Sequence, residues 1–315
     1  MRKLRIVFMG TPNFAVASLK ALVEDNYNIV GVITAPDKPA GRGRKLNESA
    51  VKTYAKTIGL HILQPANLKN ETFIDELKSL NANLQIVVAF RMLPKVVWQM
   101  PQYGTFNLHA SLLPNYRGAA PINWAIINGE STTGVTTFFI DEKIDTGAII
   151  DSKSIAIDED ESAGNLHDRL MVLGSELLID TVATIASGQT TTTVQKETKN
   201  LKTAYKLNRH NCKIDWNAPI GDIHNLIRGL SPYPAAWCQL VNGNDVLDIK
   251  VYETEKETEA HNYSNGTIIS TKKSLKVCAQ GGFIKIKKIK LPGKKLMDTT
   301  SLLNGFDLKK DAKMR

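Results

Sequence analysis

Short, β-rich apolar runs alternate with amphipathic stretches along the first 140 residues. LRIVFMG (4–10) and NIVGVITA (28–35) flank PNFAVASLKALVED, whose apolar positions have helical spacing and whose Pro12 stands near the first turn. ESAVKTYAKTIGL then predicts a helix, HILQ a short strand, NETFIDELKSL a helix, LQIVVAF (84–90) a buried strand and LPKVVWQM a short helix. GTFNLHA (104–110) and TGVTTFFI (134–140) read as strands on either side of the helix APINWAIING. Alternation of this kind implies an α/β fold, a doubly wound and mostly parallel sheet covered by helices. Such sheets hold their ligands beyond the carboxyl ends of the strands. The helical segment AGNLHDRLMVLGSELLIDTVATIASG closes the unit.

A chain of 315 residues exceeds what one ordinary core organises, so a second domain is expected. QTTTTVQKETKNLKTAY (189–205) is polar, threonine- and lysine-rich and weakly periodic, as a linker is. The boundaries are therefore set at 1–188 for a catalytic domain, 189–205 for the linker and 206–315 for the second domain. In that second domain IGDIHNLIRGL predicts a helix and SPYPAAW a rigid turn. The runs AAWCQLV, VLDIKVYETE, GTIIST, LKVCAQ and GFIKIKKIKL predict closely spaced strands of a small β-barrel, OB-like in kind. In GFIKIKKIKL, residues Ile284, Ile286 and Ile289 all face a core only if a bulge interrupts the period near Lys287–Lys288.

Charge is divided as sharply as pattern. Residues 1–200 hold 20 basic and 20 acidic side chains, whereas residues 201–315 hold 20 and 11, so the whole net charge of +9 lies in the last third. Between Lys272 and Lys295 there are nine lysines and no acid. That field favours a polyanionic partner, since each phosphate neutralised releases condensed counterions. A solubilising lysine surface is the plainer alternative. The basic start MRKLRIVFMGTP has too short an apolar run for a signal peptide, and no unbroken apolar stretch approaches the roughly 20 residues that span a bilayer. Cys212, Cys238 and Cys278 have neither an even count nor a C-x-x-C spacing, so no disulfide framework and no metal site is expected. A cytoplasmic monomer is expected.

Asn107 and His109 stand two positions apart in FNLHASLLPNYRGAAP (106–121) and therefore share one face of their strand. Asp145 follows the next strand, in the glycine-containing loop IDEKIDTGAII (140–150). An amide, an imidazole and a carboxylate at neighbouring strand ends suit acyl transfer. Amide and imidazole donate to a developing oxyanion, and the carboxylate orients the imidazole and helps to move protons. Singly, each has a structural reading: a histidine satisfied at a strand end, an asparagine capping a turn, an aspartate forming one. Asp145-Thr146-Gly147 also matches the aspartic-protease triplet, but that chemistry needs a second such aspartate and the chain has no second D-T-G. P-loop, G-x-G-x-x-G, H-E-x-x-H and G-x-S-x-G sequences are absent.

FNLHASLLPNYRGAAPINWAIINGE followed by TGVTTFFIDEKIDTGAII resembles the folate-dependent formyltransferases. FMGTPNFAVASL, TAPDKPAGRGRKL, VVAFRMLPK, IDW (214–216) and IRGLSPYPAAW extend the resemblance, in order and nearly end to end, to the branch acting on aminoacylated initiator tRNA. The resemblance implies a Rossmann-type catalytic domain in which Asn107, His109 and Asp145 carry the chemistry. It also implies that Ser111, Leu112, Leu113 and Pro114 border the tetrahydrofolate site. Phe90, Met92 and Leu93, with the loop Ile140–Asp145, would enclose its pterin ring. The loop carrying Arg42, Arg44 and Lys45 would approach the tRNA acceptor end, with Lys285, Lys287 and Lys288 as further tRNA contacts. The implied partners are 10-formyltetrahydrofolate and methionyl initiator tRNA, with no metal and no membrane. Arg91 departs from the pattern, standing where the family more often has glycine. Two rival readings are the same chemistry on a small amine such as an amino sugar, and a non-catalytic RNA-binding protein on a decayed transferase fold.

Overall fold

The computed structural model describes residues 1–40, 45–197 and 199–315. Contacts divide the chain into two compact units. The first comprises Met1–Gly118, Thr133–Ile155 and His167–Thr203, and the second Ala119–Thr132, Ala156–Leu166 and Ala204–Arg315. The boundaries set from sequence treat the domains as consecutive pieces. In the structure two earlier stretches also join the C-terminal unit.

The first unit is built on a seven-stranded sheet. Its strands in chain order are β1 (Ile6–Gly10), β2 (Ile29–Ile33), β3 (Ile62–Leu63), β4 (Leu84–Val88), β5 (Thr105–His109), β6 (Thr132–Phe139) and β7 (Ile149–Ala156). Their spatial order is β7-β6-β5-β4-β1-β2-β3. The pairs β1–β2, β1–β4, β2–β3 and β4–β5 are parallel, whereas β5–β6 is antiparallel. Strand order reverses between β1 and β4, the switch point at which doubly wound sheets open a crevice. Every residue of β1 and β4 is buried, as expected for strands covered on both faces. The helices α1 (Asn13–Glu24), α2 (Ala50–Thr57), α3 (Glu71–Ser79) and α4 (Lys95–Trp98) lie where periodicity places them. Ser49 caps α2 by accepting from the Lys52 amide, and Asn70 caps α3 by accepting from the Phe73 amide. Val7, Met9, Ile33, Phe73, Leu77 and Val87 form one core on this frame, with Phe90 and Ile140 packed at its border.

After α5 (Pro121–Ile127), the long helix α6 (Ala163–Ser187) has the length and apolar composition of a membrane-crossing segment, with a mean hydropathy of 1.5 over its most apolar window. Charged residues interrupt its apolar positions, so it contains no unbroken apolar run of that length in the sequence. Leu170, Leu177, Leu178 and Val182 are wholly enclosed by protein, so this helix serves a core.

The second unit is a nearly closed antiparallel barrel beside helix α7 (Ile220–Leu230). Its strands are β8 (Ala236–Asn242), β9 (Asp245–Thr258), β10 (Ile268–Ser270), β11 (Leu275–Ala279), β12 (Gly282–Lys290) and β13 (Lys313–Met314), with α8 (Thr299–Gly305) before the last. The order β10-β11-β12-β9-β8-β13 returns on itself, because Lys313 bridges to Thr267 and the Met314 amide donates to the Gly266 carbonyl at 2.8 Å. Sequence pattern misses this two-residue closing strand, as it misses the edge strand β7. α5 belongs to this unit because it packs on α7, with the Asn123 amide donating to the Gly229 carbonyl at 2.7 Å.

The bulge anticipated near Lys287 is present. Ile289 pairs with Val251, Lys288 with Glu253 and Ile286 with Thr254, so Lys287 and Tyr252 are each the extra residue of a register shift. Ile284, Ile286 and Ile289 are thereby all buried, in one core with Ile223, Ile227, Ile249 and Val251. Ile286→Ala should lower the free energy of unfolding by about 2–4 kcal/mol. Lys290→Ala, exposed on the same strand, should change it by no more than about 0.5 kcal/mol. Denaturant titration distinguishes the two, and equal small losses would mean that the isoleucine row does not face the core.

Candidate active site

β5 ends on His109, whose side chain is 8% exposed. Its Nε2 lies 2.8 Å from the Tyr116 carbonyl oxygen. A carbonyl only accepts, so Nε2 carries the hydrogen and donates it. Nδ1 is thereby turned towards Asp145, whose Oδ2 lies 3.8 Å away. That separation is an ion-pair distance and too long for a hydrogen bond. The ring is oriented by the Tyr116 carbonyl, where the sequence reading gave that task to the carboxylate. Asp145 Oδ2 instead accepts from the Gly118 amide at 2.8 Å. Two residues of the turn 116–118 thus hold the two ionisable groups in place.

Asn107 lies two residues back on β5, half-buried, opposite Phe138 of β6 and beside Val87 of β4. Among the described residues its side-chain amide has no hydrogen-bond partner, so its donors are available to a ligand. Phe138 meets the His109 ring edge-on, with ring centroids 6.5 Å apart.

The expectation that Asp145 sits at a neighbouring strand end is corrected by the register. Phe106, at the start of β5, pairs with Phe139, at the end of β6. The loop after β6 therefore leaves from the opposite end of the sheet and must fold back to reach His109. Gly147 permits that return. A Cβ on it would lie 1.6 Å from the Phe139 carbonyl oxygen, so the loop closes against β6 only with glycine there. Both residues that face the imidazole are in left-handed backbone conformations, Tyr116 at φ +61° and Asp145 at φ +55°. Each such residue costs of the order of 1–3 kcal/mol and persists only where its surroundings over-determine it.

Those surroundings include Gln195, which lies in the segment read as a linker and is 8% exposed. Its Nε2 donates to the carbonyls of Asp145 (3.0 Å) and Gly147 (2.8 Å), and its Oε1 accepts from Arg117 Nε (3.1 Å) and Nη2 (2.7 Å). The same segment bridges to β7 through Thr193 and Ile149, and the Lys202 carbonyl accepts from the Tyr116 amide at 2.6 Å. The threonine run concealed this residue, since one buried glutamine has no periodic signature.

Beyond the carboxyl end of β4 the chain leaves regular structure at Ala89, at φ +47°. A cavity of about 420 Å3 lies there, lined by Ala66, Leu68, Lys69, Arg91, Met92 and Leu93 among others. Arg91 donates to the Ala66 carbonyl at 2.9 Å and also to that of Pro65, so it staples the cavity wall. Lys95 and Glu142 form an ion pair between this segment and the Asp145 loop, and that contact holds the Glu142 carboxyl below the usual range. Of the other expected folate neighbours, Leu112 and Pro114 are half-buried and Leu113 is buried. Ser111 is fully buried, and its hydroxyl donates to the Asn115 carbonyl at 2.8 Å, inside its own turn.

Arg42 and Arg44 lie outside the described residues, and of Lys45 the backbone alone is described, paired with Ala40. Lys285, Lys287 and Lys288 are described, and each is ion-paired across the barrel. Lys285 and Lys287 meet Glu255 at 3.0 and 2.8 Å, and Lys288 meets Glu253 at 2.6 Å. Lys287 and then Lys285 hold the Glu255 carboxyl below its ordinary value. By contrast Lys272, Lys273, Lys290, Lys294 and Lys295 are exposed and form no ion pair among the described residues. The three cysteines are free and buried, and burial pushes the Cys238 thiol up to about 12. Among the described residues no cluster of His, Cys, Asp and Glu has metal-binding geometry.

Comparison with known proteins fits this arrangement. The family described as formyl transferase matches residues 4–182, and the one described as formyl transferase, C-terminal domain, matches residues 206–307. The chain is 62% identical to the methionyl-tRNA formyltransferase of Flavobacterium johnsoniae, covering 100% of both chains. It is 50% identical to that of Bacteroides thetaiotaomicron, covering 99% of this chain and 98% of the other. Among solved structures it is similar to WlaRD, a sugar 3N-formyl transferase, with a TM-score of 0.66 and 22% identity over 94% of this chain and 100% of that one. HypX from Aquifex aeolicus in complex with tetrahydrofolic acid gives a TM-score of 0.65 at 16% identity, over 96% of this chain and 47% of that one. At those identities the solved structures share the fold.

The ring geometry is directly checkable. Nitrogen chemical shifts of His109 in its neutral form should show Nε2 protonated and Nδ1 bare. The opposite tautomer would mean that the Tyr116 carbonyl does not hold the ring.

Proposed function

The chain belongs to the formyl transferase family, and on that premise we propose that it moves a formyl group from 10-formyltetrahydrofolate to the α-amino group of methionine on initiator tRNA. The end-to-end likeness to methionyl-tRNA formyltransferases, over sheet and basic barrel alike, carries this reading. The donor supplies an activated formamide, so a positioned amine and a few polar groups suffice for transfer.

The described residues fit such a donor. Phe90 and Ile140 border an apolar core where the chain leaves β4, beside the cavity walled by Met92 and Leu93. A flat heterocycle is held there between the segment 89–93 and the loop 140–145. Leu112, Leu113 and Pro114 offer apolar contact near the reacting end, while Ser111 shapes the turn from within.

Asn107 donates a hydrogen bond to the formyl oxygen as negative charge develops on it. One well-aimed donor of this kind contributes about 3–4 kcal/mol. His109, with Nε2–H fixed on Tyr116, presents the Nδ1 lone pair and takes the proton that the attacking amine must lose. The Asp145 carboxylate, 3.8 Å away, balances the positive charge that then appears on the ring. The protonated ring returns its proton to the departing nitrogen. General acid–base assistance of this kind is typically worth about 10²–10⁴ in rate.

The barrel and the loop bearing Arg42, Arg44 and Lys45 hold the tRNA. Lys285, Lys287 and Lys288 add to the field, but their glutamate partners compensate much of it. Lys272, Lys273, Lys290, Lys294 and Lys295, which form no ion pair among the described residues, make the stronger phosphate contacts. The alternative acceptor, a small amine such as an amino sugar, gives this field no role.

Formylation of methionyl initiator tRNA, free methionine and an amino sugar, compared side by side, tests the assignment. The tRNA should be preferred by several orders of magnitude, and preference for the amino sugar would overturn it. Asn107→Ala should lower kcat by about 10²–10³ with tRNA affinity near wild type. Replacing Lys272, Lys273 and Lys294 by alanine should flatten the dependence of log affinity on log salt, by about one for each phosphate that is no longer neutralised. Lys287→Ala should barely change that slope.

A further inference from the structure

Two short loops meet at the His109 imidazole, and neither belongs to the strand that carries it. The turn 116–118 supplies the Tyr116 carbonyl to Nε2 and the Gly118 amide to Asp145. The loop 141–147 supplies the Asp145 carboxylate itself. One side chain from elsewhere is bonded to both. Gln195 donates to the Asp145 and Gly147 carbonyls and accepts twice from Arg117, the residue between Tyr116 and Gly118.

These four bonds use both hydrogens and both lone pairs of the amide. They also fix its orientation, since a flipped amide would set oxygen against two carbonyls and nitrogen against a guanidinium. Gln195 is nearly enclosed, so its polar atoms would be costly to bury without those partners. Gly147 lies against the Phe139 carbonyl on one side and gives its own carbonyl to Gln195 on the other. The left-handed backbone at Asp145 is thereby held from both flanks.

We infer that Gln195 is a positioning residue for formyl transfer, fixing the Asp145 loop against the Arg117 turn so that the carboxylate faces Nδ1 of His109. The inference rests on the function proposed above. Gln195 touches neither the ring nor the carboxylate. It acts through the backbone that carries them.

Two substitutions separate its halves. Gln195→Ala removes all four bonds. Gln195→Glu keeps an acceptor for Arg117 but offers no hydrogen to the two carbonyls. Displacement of a reacting group by about 1 Å costs about 100-fold in rate, so both variants should lose kcat on that scale. KM for the tRNA should stay within about threefold, since the phosphate-binding surface is untouched. A merely structural glutamine would lower the folded fraction and leave kcat per folded molecule unchanged. Gln189→Ala, an exposed position in the same segment, should match wild type throughout.

Loss of kcat per folded molecule in both variants, with KM for the tRNA held, supports the inference. A Gln195→Glu protein with wild-type kcat overturns it, because the donor half would then be idle. If Gln195→Ala does not fold, the glutamate variant decides alone, since its pairing with Arg117 retains the turn. A wild-type protein that fails to formylate methionyl initiator tRNA contradicts the proposed function instead, so the two failures are distinguishable.

Discussion

The hydrogen bond from His109 Nε2 to the Tyr116 carbonyl is the constraint on which the site depends. It fixes which ring nitrogen carries the hydrogen and which direction the other faces. Everything that gives the imidazole a chemical use follows from that choice. With Nε2 committed to a backbone acceptor, Nδ1 is the nitrogen that can take up a proton, and it faces a carboxylate within ion-pair distance. A residue at the end of a buried strand would otherwise be only a satisfied core histidine. The acceptor comes from a tyrosine held in a left-handed conformation, and so does the facing carboxylate from an aspartate. The strain lies in the two loops that define the ring's surroundings, and the parallel strands beneath are regular.

The arrangement is assembled from opposite directions. β4 and β5 run parallel and deliver the cavity wall and the Asn107–His109 pair at their carboxyl ends, the usual address in a doubly wound sheet. β6 runs the other way, so the carboxylate arrives by a loop that folds back from the far end. A returning loop needs anchors, and three are present: the close approach of Gly147 to β6, the Gly118 amide on Asp145, and Gln195. All three bear on the loop that carries the carboxylate, and none lies within the parallel strands beneath it.

Much of this is legible in the sequence. The parallel core strands were evident because burial on both faces makes them continuous apolar runs. The inward isoleucines of β12 were evident because only a bulge reconciles their spacing with a strand, and the register shift at Lys287 supplies it. Asn107 and His109 share a face for the simplest reason, the two-residue period. What stayed hidden depends on tertiary partners. A strand's direction is not encoded in its own alternation, so the fold-back by which the Asp145 loop reaches His109 is not legible in the sequence. Gln195 looked like linker because hydrogen bonds to distant backbone carbonyls leave no pattern in sequence. The lysines of β12 looked free because the glutamates that pair with them lie on β9, some thirty residues earlier. A net charge of +9 over-counts the field wherever cross-strand pairs compensate it locally.

On the proposed function chemistry and affinity occupy different parts of the chain, since the proposed reacting groups lie in the first unit and the whole excess of positive charge lies in the last third. The central claim is that Asn107, His109 and Asp145 converge on one carbonyl carbon. A crystal structure of the protein with a non-transferable analogue of 10-formyltetrahydrofolate tests it most directly. The account predicts the formyl oxygen within hydrogen-bonding distance of the Asn107 amide and the formyl carbon about 3–3.5 Å from the site of the incoming amine, beside His109 Nδ1. A formyl group turned away from Nδ1, with Asn107 bonded elsewhere, would contradict it.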